Sequence, residues 1–343
     1  MLDPNQKAVV IGISGCSSSG KTTLARLLRD IFPNTFILHE DDFYKPEAEI
    51  PMKDGLTNWD CPEALNIPDM TAALEHIRAT GELPPTLDSK EDLNSVGPCP
   101  ISTDFINKIK ARVADWLQPS SPGARILSLP SLTQSSSQSQ KPPLKICILD
   151  GFLLYSPPPL LPSTLLSQMD IKLFLLVSKQ KALQRREARD GYVTLEGFWK
   201  DPPGYVEKIV WPEYVRAHEW MFEDGDVEKG KLRGDVKEKL GVLVNSKEGE
   251  ETKMDRDFGE TLEWAVESIM RELEVLVLGE EGSKEREERE KKDHEEAVAL
   301  NSFAMKKVWA TRQKERDARE KFREVAEEQK KQDAEEQKEK EKE

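Results

Sequence analysis

Residues Gly15-Cys16-Ser17-Ser18-Ser19-Gly20-Lys21-Thr22 match the pattern G-x-x-x-x-G-K-[ST] at every fixed position. This pattern restricts the fold, because it works only between a buried strand and the start of a helix. Both flanks are present. Ala8–Ile13 is an apolar, β-branched run, and Thr22–Ile31 places Leu24, Leu27, Leu28 and Ile31 at helical spacing. The glycines let the chain turn so that successive N–H groups converge on phosphate oxygens, and the helix adds the positive end of its dipole. In this frame Gly15, Cys16, Ser17, Ser18, Ser19, Gly20, Lys21, Thr22 and Thr23 form a cradle for ATP. Lys21 is expected to reach the β- and γ-phosphates, and the Thr22 hydroxyl to bind Mg²⁺.

Further apolar runs at Thr35–Leu38, Leu144–Leu149, Ile171–Val177 and Val242–Val244 read as strands. They alternate with helical patterns at Pro68–Ala79, Lys181–Arg189 and Phe258–Val277. That alternation predicts an α/β fold of the P-loop NTPase type: a parallel sheet with helices on both faces, and a small lid. The predicted P-loop domain spans 1–280, with an insertion over 81–143. Within the insertion Phe105–Leu117 reads as a helix with Ile106, Ile109, Val113 and Leu117 inward, and Gln118–Pro143, rich in Ser, Pro and Gln, as a mobile loop. Residues 281–343 form a charged, partly helical or disordered tail with no sustained heptad.

The formal charge is −14. From Ser283 to Glu343 there are 18 Lys/Arg against 19 Asp/Glu, so the excess acid belongs to the body. An acidic body argues against general nucleic-acid binding. Nothing approaches the ~18 apolar residues of a membrane span, and no leader-like segment opens the chain. The cysteines Cys16, Cys61, Cys99 and Cys147 form no C-x-x-C pair. A reduced setting in the cytoplasm, with the nucleus as an alternative, is the expectation. The tail is a candidate surface for a protein partner.

Phosphoryl transfer needs positioning, charge neutralisation and often a carboxylate that accepts the proton of the acceptor hydroxyl. Asp41 and Asp150 both close predicted strands, where open parallel sheets bind ligands. Asp150 follows an apolar strand as a Walker-B acid does and is expected to act on Mg²⁺, directly or through water. Asp41 is the expected general base and a candidate for the magnesium shell; Asp42 is its neighbour. In Arg185-Arg186-Glu187-Ala188-Arg189-Asp190, Arg185 and Arg189 fall at i, i+4 on one helical face, suited to phosphate oxygens on a closing lid.

Several segments together resemble the nicotinamide riboside kinases, in a fungal-type version, within the uridine kinase-like branch of P-loop kinases. They are the phosphate loop, Asp41-Asp42-Phe43-Tyr44-Lys45-Pro46, Asn58-Trp59-Asp60, Asp150-Gly151-Phe152-Leu153-Leu154-Tyr155, and Pro202-Pro203-Gly204-Tyr205 followed by Val210-Trp211-Pro212. The resemblance covers about residues 7–80 and 144–275. It implies transfer of the ATP γ-phosphoryl group to the ribose 5′-hydroxyl of a small-molecule nucleoside, a step of NAD salvage, with nicotinamide and nicotinic acid ribosides unranked. It also implies Asp41 as base, Thr22 on magnesium, Asp60 on the ribose hydroxyls and Arg185 and Arg189 on ATP. Arg186, Tyr192 and Asp41, Asp42, Phe43 and Tyr44 fall on the substrate side, although a one-residue insertion at Asp190-Gly191 shifts the alignment of Tyr192. Trp59 stands where the animal enzymes carry Tyr, and Asp150 where they carry Glu. The Trp59 face suits a pyridinium cation, an attraction of about 0.5–2 kcal/mol. Uridine–cytidine kinase shares Asn58–Leu65 and Arg185–Asp190 and is the nearest rival. A P-loop switch or scaffold is the alternative of another class, and it lacks an N-K-x-D guanine motif here.

Overall fold

The computed structural model describes residues 2–3, 5–89, 94, 97–127, 143–158, 160–189, 191–194, 197–245, 253–279 and 291. The chain divides into two units, Met1–Gly282 and Ser283–Glu343. The predicted tail, residue 291 apart, and Asp190 lie outside the described residues, as do 128–142 of the predicted mobile loop.

The first unit is organised by a strand buried along its whole length, β1 (Ala8–Gly15). Beside it lie β2 (Thr35–His39), β3 (Lys145–Asp150), β4 (Ile171–Leu175) and β5 (Val242–Val244). All pair in parallel, in the order β2-β3-β1-β4-β5. Alternate residues of β1 enter two cores. Val9, Ile11 and Ile13 pack with Leu24 and Leu28 of α1 (Lys21–Ile31), with Ile109 and Val113 of the insertion, and with Leu262 and Ile269. Ala8 and Val10 pack on the other side with Met70, Leu74 and Ile77 of α2 (Ile67–Thr80) and with Trp211 and Tyr214. Covering both faces explains why these strands read as continuous apolar runs.

Register sets the site. Ile13 pairs with Asp150, and Asp150 with His39. The phosphate loop, the turn after β2 and the last residue of β3 therefore share one edge, the carboxyl edge of the sheet.

Three expectations are corrected. The insertion helix α3 runs Thr103–Trp116 with Ile109, Val113 and the unforeseen Trp116 buried; Leu117 packs half-buried against the same core, and Ile106, expected inward, is half-buried. Pro122–Leu127, expected in the mobile loop, is helical with Ile126 and Leu127 buried. Gly123 permits this by lying against Trp116, where a Cβ would come within 2.5 Å of the indole. The basic helix α4 runs Lys179–Glu187, capped by the Ser178 hydroxyl, which accepts the Lys181 N–H at 3.3 Å. It stops before Arg189, so Arg185 and Arg189 do not share a helical face. Gly191, at φ +143°, then turns the chain into the hairpin Tyr192–Thr194/Gly197–Trp199.

From Tyr205 the chain is helical through a wide π turn, Val206–Val210, into α5 (Trp211–His218). Pro212 cannot donate a backbone hydrogen bond, and the wider turn absorbs that loss. Residues 258–279 are also helical, with Leu262, Val266, Ile269 and Leu273 buried.

Candidate active site

The phosphate loop connects β1 to α1 through three residues of positive φ: Gly15 at 147°, Ser18 at 61° and Gly20 at 102°. A Cβ on Gly15 would lie 2.7 Å from the Leu175 carbonyl, and one on Gly20 2.8 Å from the Phe258 ring. Ser18 holds its conformation without that excuse, a form of strain that gathers at functional loops. The hydroxyls of Ser18 and Ser19 are buried and have no hydrogen-bond partner among the described residues. Orphaned donors in a glycine-bounded turn suit phosphate oxygens. Lys21, 8% exposed, donates to the Cys16 carbonyl at 2.9 Å. Burial pushes the Cys16 thiol up to about 11, so it is unreactive. Thr23 is half-buried on the first turn of α1.

Across from the loop, the Thr22 hydroxyl donates to Asp150 Oδ2 at 2.5 Å, and His39 Nδ1 lies 2.5 Å from Oδ1. Burial would raise the Asp150 pKa. The His39 hydrogen bond and charge, the Thr22 hydroxyl and Lys21 outweigh it and hold the carboxyl below its ordinary value. Asp41 and Asp42 sit on the single 3-10 turn Glu40–Phe43 that follows β2. Asp42 accepts the Ser89 hydroxyl at 3.0 Å, so the insertion reaches this turn. Glu40, which the sequence reading passed over, is fully buried and accepts the N–H groups of Phe152 at 2.6 Å and Leu153 at 3.1 Å. It ties the end of β2 to the end of β3. Burial pushes its pKa up to about 8, with the Asp41 charge adding to the rise.

On the lid side, Arg186 is 7% exposed and all five of its N–H donors are engaged. Nε and Nη2 donate to Asp201 at 2.6 and 3.1 Å, Nη1 and Nη2 to Asp60 at 2.9 and 3.3 Å, and Nη1 also to the Ser17 hydroxyl at 2.7 Å. Burial raises the Asp60 pKa despite the Arg186 guanidinium, and the Asp201 carboxylate adds to the rise. Around this cluster stand aromatic rings. Trp59, 8% exposed, lies 5.3 Å from Tyr44 and 5.8 Å from Trp199, centroid to centroid. Phe152 stacks on Tyr44 at 6.5 Å, and Phe43 is buried in the core beside them. The Tyr205 hydroxyl accepts the Trp59 N–H at 3.1 Å and donates to the Thr57 carbonyl at 2.9 Å.

Arg185 reaches back to the phosphate loop, with Nη1 3.4 and 3.3 Å from the Ser18 and Ser19 carbonyls. It borders a cavity with Ser19, Leu176, Asn245, Arg256 and Phe258. Arg189 is exposed beyond the end of α4. Tyr192 opens a strand, and its side chain lies outside the described residues. The structure thus gathers Lys21, Thr22 and Asp150, and separately Ser17, Asp60, Arg186 and Trp59. Sequence reasoning missed Asp201 and Trp199, which lie in a lid of no regular pattern, and Asn245 and Phe258, which no motif marks. Tyr205 was within reach, because it ends the Pro-Pro-Gly-Tyr motif.

No family model matches the chain. Its sequence is 36% identical over 270 residues to the nicotinamide riboside kinase of Schizosaccharomyces pombe, covering 78% of this chain and 99% of that protein. The chain belongs to the nicotinamide riboside kinase family. The Saccharomyces cerevisiae member is 29% identical, with 78% and 98% of the two chains covered. Human nicotinamide riboside kinase 1 is 29% identical, over 63% of this chain and 79% of that protein. For this family a magnesium ion is implied. Among the described residues no three His, Cys, Asp or Glu side chains form a self-sufficient metal site. The Thr22 hydroxyl and the Asp150 carboxylate are nevertheless hard oxygen donors side by side, the kind Mg²⁺ takes beside phosphate and water. Among the described residues no helix is long and apolar enough to cross a membrane.

Proposed function

We propose that this chain transfers the γ-phosphoryl group of ATP to the 5′-hydroxyl of nicotinamide riboside, forming nicotinamide mononucleotide and ADP, a step of NAD salvage. The observation that carries this reading is the Arg186 bridge. One buried guanidinium joins Ser17 of the phosphate loop to Asp60 of the aromatic-lined loop, so a triphosphate and a nucleoside held there would be neighbours.

In this reading the amides of 15–22, Lys21 and Arg185 hold ATP, and Asp60 takes the ribose hydroxyls. Trp59 and Tyr44, with Trp199, offer faces to the pyridinium ring. The 5′-oxygen attacks the γ-phosphorus as the bond from the γ-phosphorus to the bridging oxygen breaks. The hydroxyl proton passes to Asp41, and the electron pair of the broken bond leaves with ADP. Mg²⁺, held by Thr22 with Asp150 and Asp41 in its shell, would neutralise phosphate charge. Arg189 and Tyr192 remain candidates for the ATP and nucleoside sides of the lid. The four cysteines are free, which accords with a reducing compartment such as the cytosol.

The test is turnover of ATP with nicotinamide riboside and, separately, uridine, followed by ADP release and chromatography of the mononucleotide. Efficient product from the riboside with little from uridine is expected. Transfer to uridine in preference, or to neither, overturns the reading.

A further inference from the structure

Glu213 of α5 is 2% exposed, yet none of the expected chemistry needs it. A carboxylate is expensive to bury unless it is paired. Its hydrogen-bond donors come from one segment. Oε1 accepts from Lys53 Nζ at 2.7 Å and from Asn58 Nδ2 at 3.1 Å. On its other side Arg216 Nε lies 3.3 Å from Oε2, and Arg216 goes on to Glu63 at 3.0 Å. Lys53, Asn58 and Glu63 all belong to the segment that carries Trp59 and Asp60. Asn58, 4% exposed, uses its two amide atoms in opposite directions: Nδ2 donates to Glu213, and Oδ1 accepts the Asp60 N–H at 3.3 Å. Tyr205, on the same run of helix, grips the segment at Thr57 and Trp59.

We infer that Glu213 is a positioning residue for nucleoside binding. It orients the Asn58 amide, and through it the Asp60 turn, so that the Asp60 carboxylate meets Arg186 and a ribose at a fixed place. Glu213 touches no residue of the phosphate loop, which this network reaches only at its far end through Arg186 and Ser17, so the larger effect falls on the nucleoside side. This inference rests on the proposed function, because it assigns Asp60 to the ribose.

The test compares wild type, Glu213→Leu and Glu213→Gln for KM of nicotinamide riboside, KM of ATP and kcat. Glu213→Leu fills the volume without accepting a hydrogen bond. It should raise the nucleoside KM roughly tenfold or more and leave the ATP KM within about twofold. Glu213→Gln keeps an acceptor for Asn58 and should recover most of the loss. Equal rises in both KM values, or a fall in Tm with the nucleoside KM unmoved, overturns the inference. Should Glu213→Leu not fold, Asn58→Ala carries the same expectation and the same refutation. A wild type that does not phosphorylate the riboside refutes the proposed function instead, which keeps the two failures distinguishable.

Discussion

The Glu40 carboxyl rests on Gly151: a Cβ at residue 151 would lie 2.5 Å from Glu40 Oε2, the oxygen that accepts the Phe152 and Leu153 N–H groups. The glycine of Asp150-Gly151-Phe152 is therefore required by a side chain more than a hundred residues away. Through this contact Asp41 and Asp150, the candidates for base and metal-side acid, are held on adjacent strand ends.

This contact makes a prediction about alkaline pH. Glu40 rises from its ordinary 4.5 to about 8, so the folded state favours the protonated form. Its stabilising contribution is full below 4.5 and is lost as pH rises through 8, a change of roughly 3–5 kcal/mol. Glu40→Gln should fold and lose much of that alkaline slope in urea unfolding measured from pH 6 to 9. Gly151→Ala should lower stability at every pH.

His218 gives the opposite slope. It is fully buried, and Nδ1 donates to the Tyr214 carbonyl at 2.9 Å. Nε2 has no partner among the described residues. Burial lowers its pKa from 6.5 to about 4. The unfolded chain takes up the proton first, so stability falls as pH drops from 6.5 towards 4, by roughly 2 kcal/mol at pH 5. His218→Gln should be less stable at pH 7 and show a smaller further loss at pH 5, read as Tm.

Asp41→Asn should lower kcat by about 10²–10⁴ while leaving ATP binding, measured by calorimetry, within a few-fold. Full activity in this variant would remove Asp41 as the base.

Arg186→Leu leaves Asp60 and Asp201 facing each other in a buried site. A loss of about 3–5 kcal/mol in stability is expected. Arg186→Lys keeps the charge but not the fork. It should fold, with the nucleoside KM raised at least tenfold in steady-state kinetics.

The phosphate loop was legible in the sequence because its chemistry is local: two glycines, a lysine and a threonine work through the backbone that joins them. The strands and their alternation with helices were legible for the same reason, and their ends moved by only a residue or two. The end of α4 was misread because charge spacing continues to Arg189 while the Ser178 cap and Gly191 fix where the helix lies. Ile126 and Leu127 were read as loop because their Ser- and Pro-rich surroundings hide that Gly123 can slide under Trp116.

The sequence by itself determined that a glycine-bounded loop of the phosphate-binding pattern sits between β1 and α1, and that acids follow the neighbouring strands. Only the tertiary structure decided what each acid touches there. Parallel pairing put Asp150 level with His39 and within reach of Thr22. The fold of the lid brought Asp201 to share Arg186 with Asp60. These side chains are far apart in the chain, and their protonation and orientation depend on burial and on partners that no local pattern encodes.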